Sequence, residues 1–334
     1  ILNLLTVNNL TVRTVHQSGP INILDNLNFK IESGKSLGVV GESGCGKSMM
    51  AFTIMGLLPE NMTASGEVLF GSNLLSLPEK ELCQIRGNRM GMVFQEPMTA
   101  LNPVLPIGFQ VAESLRLHKS LSLHEAQNQA SKVLDRVGLP AENFSRSLYP
   151  HQLSGGQRQR VVIAIAIVCE PELIIADEPT TALDVTIQEQ ILALISELVL
   201  ERNMALILIT HDLGVVAENT DKMLVMYAGR IVEKGPTQKV FRHLAHPYTR
   251  GLFASIPDYE KSLNEPSQQL EYSRKKRLST IPGRVPEFWE RSKGCSFADR
   301  CSRTQGKCSS LVPDELQFDT GHYTTCFSPY ERNE

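Results

Sequence analysis

Apolar residues at every second position dominate the first forty residues. Leu10 and Val12, then Leu27, Phe29 and Ile31, predict two strands joined by a turn at His16–Pro20 and closed by another at Ser33-Gly34. Leu37 to Val40 is a short buried strand that runs straight into a glycine-rich loop. Between about residues 96 and 153 the pattern changes. Pro97, Pro103 and Pro106 break its start, and helical spacing follows over Phe109–His118 and Leu123–Val137, so this stretch is predicted to be a helical insertion. Val161 to Cys169 reads as a buried helix. Leu173–Ala176 and Ala205–Thr210 are near-continuous apolar runs, as parallel strands covered on both faces should be, with a helix over Ile187–Leu200 between them. Leu224–Tyr227 and Arg230–Glu233, joined by Ala228-Gly229, predict a hairpin. From about Ile256 the composition turns to Pro, Ser, Glu and Lys, which marks a boundary between residues 1–255 and 256–334.

At 334 residues and 42% hydrophobic, the chain can bury a sizeable core. Its formal charge of −3 gives no general attraction for nucleic acid, and no such partner is expected. The basic cluster Arg274-Lys275-Lys276-Arg277 reads as a solvated linker run. The apolar run at 161–169 is far short of the ~20 residues that span a bilayer. The start, Ile1 to Leu5, carries no charged region or cleavage site, so no secretory signal is expected. Membrane association would come through a protein partner. Seven cysteines, an odd number, fit a reducing compartment better than a disulfide framework. Cys45, Cys83 and Cys169 stand singly, whereas Cys295, Cys301, Cys308 and Cys326 crowd the end.

Gly41-Glu42-Ser43-Gly44-Cys45-Gly46-Lys47-Ser48 has the spacing of a phosphate-cradling loop between a strand and a helix. Its glycines let successive N–H groups point inward, and the following helix adds its positive end. Lys47 would reach the β- and γ-phosphates of ATP and Ser48 would hold Mg²⁺. The strand Leu173–Ala176 ends in Asp177, placed for the Mg²⁺ shell, and Glu178, placed to polarise a water. Leu153-Ser154-Gly155-Gly156-Gln157 opens a helix. Capping explains Ser154 but not two glycines in a first turn, each unfavourable by about 1 kcal/mol relative to Ala. A second phosphate-seeking helix end makes sense if it closes on ATP held by another subunit.

In that order these motifs resemble the ATP-binding subunits of ABC transporters, over residues 1 to about 255. The resemblance implies a P-loop α/β core with an antiparallel β subdomain, a helical insertion and, here, a Cys-rich C-terminal extension. It implies that Gln95 joins the Mg²⁺ and γ-phosphate to the transmembrane partner, that His211 positions water and γ-phosphate, and that Asp184 crosses a dimer interface. Members carry an aromatic residue that stacks on adenine. Here Thr14 stands in that place, so either His16 stacks or the base is held loosely.

His246-Pro247-Tyr248-Thr249-Arg250-Gly251-Leu252, Ile281-Pro282-Gly283-Arg284-Val285-Pro286, Leu101-Asn102-Pro103 and the late cysteines resemble the oligopeptide/dipeptide branch, dipeptide-permease ATPase subunits above all. The branch implies a [4Fe–4S] cluster on Cys295, Cys301, Cys308 and Cys326; four thiolates would equally suit Zn²⁺, and His322 could replace one of them. The tail otherwise looks too polar to make a core of its own. Implied partners are a second ATPase subunit (a sister chain forming a heterodimer), two membrane permease subunits and an extracytoplasmic peptide-binding protein. The chain would sit at the cytoplasmic face of the membrane. Nickel, glutathione and antimicrobial-peptide transporters share the pattern. A soluble ABC ATPase would be expected to carry paired cassettes or long coiled coils, and the sequence has neither.

Overall fold

Two long strands, β1 (Asn3–His16) and β2 (Gly19–Glu32), pair antiparallel from Asn3↔Glu32 to His16↔Gly19. The alternation seen in sequence is their buried face: Leu10, Val12, Leu24 and Leu27 are fully buried. The strand β3 (Ser36–Val40) then enters the main sheet, and a loop leads to helix α1 (Lys47–Ile54). Next, β4 (Met62–Phe70) and β5 (Ser72–Asn73) return to complete a four-stranded antiparallel sheet in the order β2-β1-β4-β5. Helix α2 (Glu79–Ile85) follows. In a computed structural model of the chain, residues 3–17, 19–181, 183–255 and 280–331 are described. The cluster Arg274–Arg277 lies outside them.

The main sheet gains β6 (Met90–Val93), after which the chain leaves it for a helical unit. That unit comprises α3 (Pro97–Ala100), α4 (Ile107–Lys119), α5 (Leu123–Arg136) and α6 (Gly155–Ile167). Ser122 and Glu125 form a reciprocal cap that starts α5, and Ala126, Ala130 and Leu134 at four-residue spacing are its buried stripe. The chain then runs through β7 (Leu173–Asp177), α7 (Val185–Arg202), β8 (Ala205–Ile209), α8 (Leu213–Asn219), β9 (Lys222–Tyr227) and β10 (Arg230–Pro236). Ala228 and Gly229, both at positive φ, make the tight hairpin turn between the last two. Helices α9 (Thr237–His243) and α10 (Pro247–Ala254) precede the C-terminal region, which supplies β11 (Leu316–Asp319) and β12 (His322–Thr324).

The eight strands lie in the order β11-β12-β10-β9-β3-β8-β7-β6, parallel from β9 to β6. Both faces of the parallel part are buried, and the period of two divides its side chains between two cores. Ile174, Ala176, Leu206 and Leu208 pack with the helical unit and α7. Leu173, Ile175, Ile207 and Ile209 pack with α1 and the antiparallel sheet. A third core joins Val40, Met223, Val225 and Tyr227 to Tyr248 and Phe253 of α10 and to Phe297 of the C-terminal region. The tail is therefore less polar in effect than its composition implies. Phe297 is 3% exposed, with its ring edge-on to Tyr227 and to Tyr248. One buried aromatic contributes roughly 1.5–3 kcal/mol, enough to seat a short segment on a ready-made core.

Candidate functional site

The loop from Gly41 to Ser48 connects β3 to α1, and its shape depends on glycines for two separate reasons. A Cβ at Gly41 would run into the carbonyl oxygen of Met226. Gly46, at φ 105°, is the N-cap of α1 in the left-handed region, where a side chain is strained and would also meet Leu24. Lys47 is 5% exposed, and its ammonium donates to the carbonyls of Gly41 (2.8 Å) and Glu42 (3.2 Å) within the loop. The buried Cys45 thiol is raised by burial, an effect that Lys47 only partly offsets, so it stays neutral.

Asp177 ends β7 beside this loop, 2% exposed. Burial raises its carboxyl above the usual range; the Ser48 hydroxyl and Lys47 oppose that shift and Glu178 adds to it. Its Oδ1 is buried with no hydrogen-bond partner among the described residues. An orphaned carboxylate oxygen next to a serine hydroxyl and a lysine fits the outer or inner shell of a divalent cation. Glu178 follows at φ 46°, a strained position for a residue with a Cβ, held by its N–H donating to Ile209 O at 2.9 Å. Its Oε2 is a meeting point. Gln95 Nε2 donates to it at 3.2 Å, Thr181 Oγ1 at 2.9 Å, and His211 Nδ1 lies 3.6 Å away. Gln95 comes from just past β6. His211 comes from past β8, where Thr210 Oγ1 accepts the Asp212 N–H and Asp212 caps α8. Three separated segments thus place their polar ends on one carboxylate oxygen at the carboxyl edge of the parallel strands.

Other expected residues lie elsewhere. Ser154 and Gln157 close a reciprocal cap on α6: Gln157 N–H donates to Ser154 Oγ at 3.3 Å and Ser154 N–H to Gln157 Oε1 at 2.8 Å. Ser154 and Gly155 are exposed. Gly156 has a reason within this chain that its spacing did not reveal, since a Cβ there would come within 2.8 Å of Ile187 in α7. Asp184 caps α7, its Oδ1 accepting the Ile187 N–H at 3.0 Å. His16, at the end of β1, stacks on Trp289 with centroids 5.2 Å apart and planes within 6°.

The four late cysteines are free thiols. Among the described residues no group of three or more His, Cys, Asp or Glu is disposed to hold a metal ion, the expected four-thiolate set included. Each thiol is set in its own turn: Cys301, Cys308 and Cys326 accept N–H bonds from Arg303, Gln305 and Ser328. Burial raises Cys295, Cys301 and Cys326, the last to about 11, and the neighbouring thiols add to each shift. His322 Nε2 lies 2.7 Å from Glu233 Oε1, with both side chains fully buried, and its Nδ1 has no hydrogen-bond partner among the described residues.

Sequence reasoning missed three groups. Thr181 holds Glu178, Tyr248 Oη accepts the Glu42 N–H at 2.8 Å, and Arg300 grips the Glu42 carboxylate. The aromatic ring within the His246–Leu252 motif was a visible signal for the second; the others carried none. Among the described residues no helix is long and apolar enough to cross a membrane.

Residues 24–181 match the family model described as ABC transporter, and residues 232–308 match that of the oligopeptide/dipeptide transporter C-terminal region. The chain is 45% identical to the oligopeptide transport ATP-binding protein OppD of Salmonella typhimurium, covering 98% of this chain and 94% of that protein. It is 48% identical to a putative peptide import ATP-binding protein of Brucella abortus, covering 93% and 90%. Among solved structures it is similar to a dimeric ATP-binding cassette bound to ADP and phosphate, with TM-score 0.63 and 30% identity over 70% of this chain and 98% of that one.

Proposed function

This chain belongs to the ATP-binding subunits of ABC transporters that carry the oligopeptide/dipeptide C-terminal region, and from that membership we propose that it hydrolyses ATP to power import of short peptides. The observation that carries the reading is the shared oxygen: Glu178 Oε2, gathered by Gln95, Thr181 and His211 beside an intact phosphate loop. Full-length relatives named for peptide transport supply the cargo class.

Lys47 exchanges the carbonyls of Gly41 and Glu42 for the β- and γ-phosphates. Ser48, Asp177 and Gln95 would hold Mg²⁺, which when bound neutralises phosphate charge. Glu178 orients the attacking water and receives its proton at Oε2, and His211 and Gln95 keep that oxygen aimed. The face of the His16–Trp289 stack receives the nucleobase. Residues 1–255 form the ATPase unit and residues 256–334 the added one. The subunit works in a dimer with a sister chain, in which the exposed Ser154–Gln157 helix start and Asp184 act on ATP held by the partner. It docks on two permease subunits at the cytoplasmic face, which an extracytoplasmic binding protein supplies with peptide. Cys295, Cys301, Cys308 and Cys326 would hold a [4Fe–4S] cluster; the N–H···S bonds that Cys301, Cys308 and Cys326 accept support that reading, because such bonds stabilise ligating sulfur.

The test is reconstitution with the permeases that co-purify with the chain. ATP hydrolysis should rise when peptide-loaded binding protein is added. A complex in which only a metal ion or a non-peptide cargo stimulates turnover would refute peptide import while leaving the ATPase assignment intact.

A further inference from the structure

One contact ties the C-terminal region directly to the phosphate loop. Arg300 sits in a 3-10 turn, Ala298–Arg300, immediately before Cys301. Its side chain is only 7% exposed. Nη1 donates to Glu42 Oε2 at 2.8 Å and Nη2 to Glu42 Oε1 at 3.0 Å, a two-bond fork. The guanidinium is itself anchored, with Nε donating to Pro282 O at 2.8 Å and Nη1 lying 3.3 Å from Tyr227 Oη. Glu42 is the second residue of the phosphate loop. Its N–H is held by the fully buried Tyr248, and its carbonyl accepts from Lys47. All three polar groups of this one residue are therefore engaged, two of them by residues past position 247.

A carboxylate in a loop that receives a triphosphate is an electrostatic liability. Like charges at short range in a partly desolvated site oppose binding, and a bound guanidinium removes most of that penalty. We propose that Arg300 is a positioning residue for nucleotide binding: it neutralises Glu42 and turns its carboxylate away from the phosphates, so that ATP affinity depends on the C-terminal region. The inference rests on the reading that residues 41–48 hold ATP phosphates. It assigns Arg300 to binding and not to the chemical step, since among the described residues its guanidinium bonds run to Glu42, Pro282 and Tyr227 and not to Glu178 or Asp177.

The test uses the full chain. ATP affinity by calorimetry, kcat and thermal stability are measured for the parent, Arg300→Met, Arg300→Lys and the double variant Arg300→Met/Glu42→Gln. Arg300→Met should weaken ATP binding about tenfold, equivalent to about 1.4 kcal/mol, with kcat at saturating ATP within about twofold. Arg300→Lys, which keeps the charge and loses the fork, should fall between the two. The double variant should recover to within about threefold of the parent, because no carboxylate remains to be neutralised. A merely structural staple would lower stability and leave affinity unchanged. An Arg300→Met affinity within twofold of the parent, or a double variant as weak as the single one, overturns the proposal. Should Arg300→Met fail to fold, Arg300→Lys with parental affinity would overturn it equally. A parent that binds no ATP would instead refute the assignment of the phosphate loop.

Discussion

Acid should loosen this protein at a buried histidine, His246. His246 is 1% exposed and caps α10, its Nδ1 accepting the Tyr248 N–H at 3.0 Å. Burial pushes its imidazole down from about 6.5 to about 4, with Glu233 and the Thr325 carbonyl offsetting only part of that. The unfolded chain therefore takes up a proton near pH 6.5 that the folded chain refuses until about pH 4. In that window the unfolded state binds more protons, so stability falls as pH falls. The loss through this one group is about 3 kcal/mol in all, of which about 2 kcal/mol comes between pH 7 and pH 5. Urea unfolding of the full chain at pH 7, 6 and 5 measures it. His246→Asn is the control, because Asn keeps an oxygen to cap the helix and cannot titrate. The parent should lose roughly 2 kcal/mol more than the variant over that range. Equal pH slopes in parent and variant would refute the argument.

Three further outcomes bear on function. Glu178→Gln should keep ATP binding and slow turnover by about 10²-fold or more, because an amide cannot accept the proton; near-normal hydrolysis removes Glu178 from that role. Ser154→Arg should abolish hydrolysis of the partner's ATP, at the site that this loop completes, and leave this chain's own ATP affinity nearly intact; lost affinity in the isolated subunit would contradict the shared site. Anaerobically purified protein should contain iron and sulfide at about four each per chain and lose its colour in Cys301→Ser; one zinc per chain would replace the cluster, and metal-free protein would end the metal reading.

What the sequence could disclose depended on how far apart the cooperating residues lie. The proposed phosphate loop is contiguous, so it could be picked out from eight adjacent residues. The parallel strands were legible because both faces are buried, and α4 and α5 because their apolar stripes run for several turns. The four residues of α3, wedged among prolines, give no period to detect. The strands β11 and β12 are four and three residues long and half polar, and they were read as tail. Glu178, Gln95 and His211 could be grouped only through resemblance, since no local pattern says that three strand ends meet. Arg300 and Glu42 lie 258 positions apart, and nothing short of the fold brings them together.

The place of the terminal hairpin in the main sheet has a consequence for solubility. Without it, β10 would be the outermost strand, presenting a row of unpaired backbone donors and acceptors next to buried Ile231 and Val232. Such a row is a template on which a second chain can add. β12 occupies it through Glu233↔Thr324 and Lys234↔Tyr323, and β11 follows at Leu316↔Thr324. The rim that remains is short and guarded by charge, with Lys234 paired to Glu315 and Lys239 to Asp319. A chain shortened before Leu316 would trade that guarded rim for an adhesive one, so its failure would be self-association before any loss of catalytic residues.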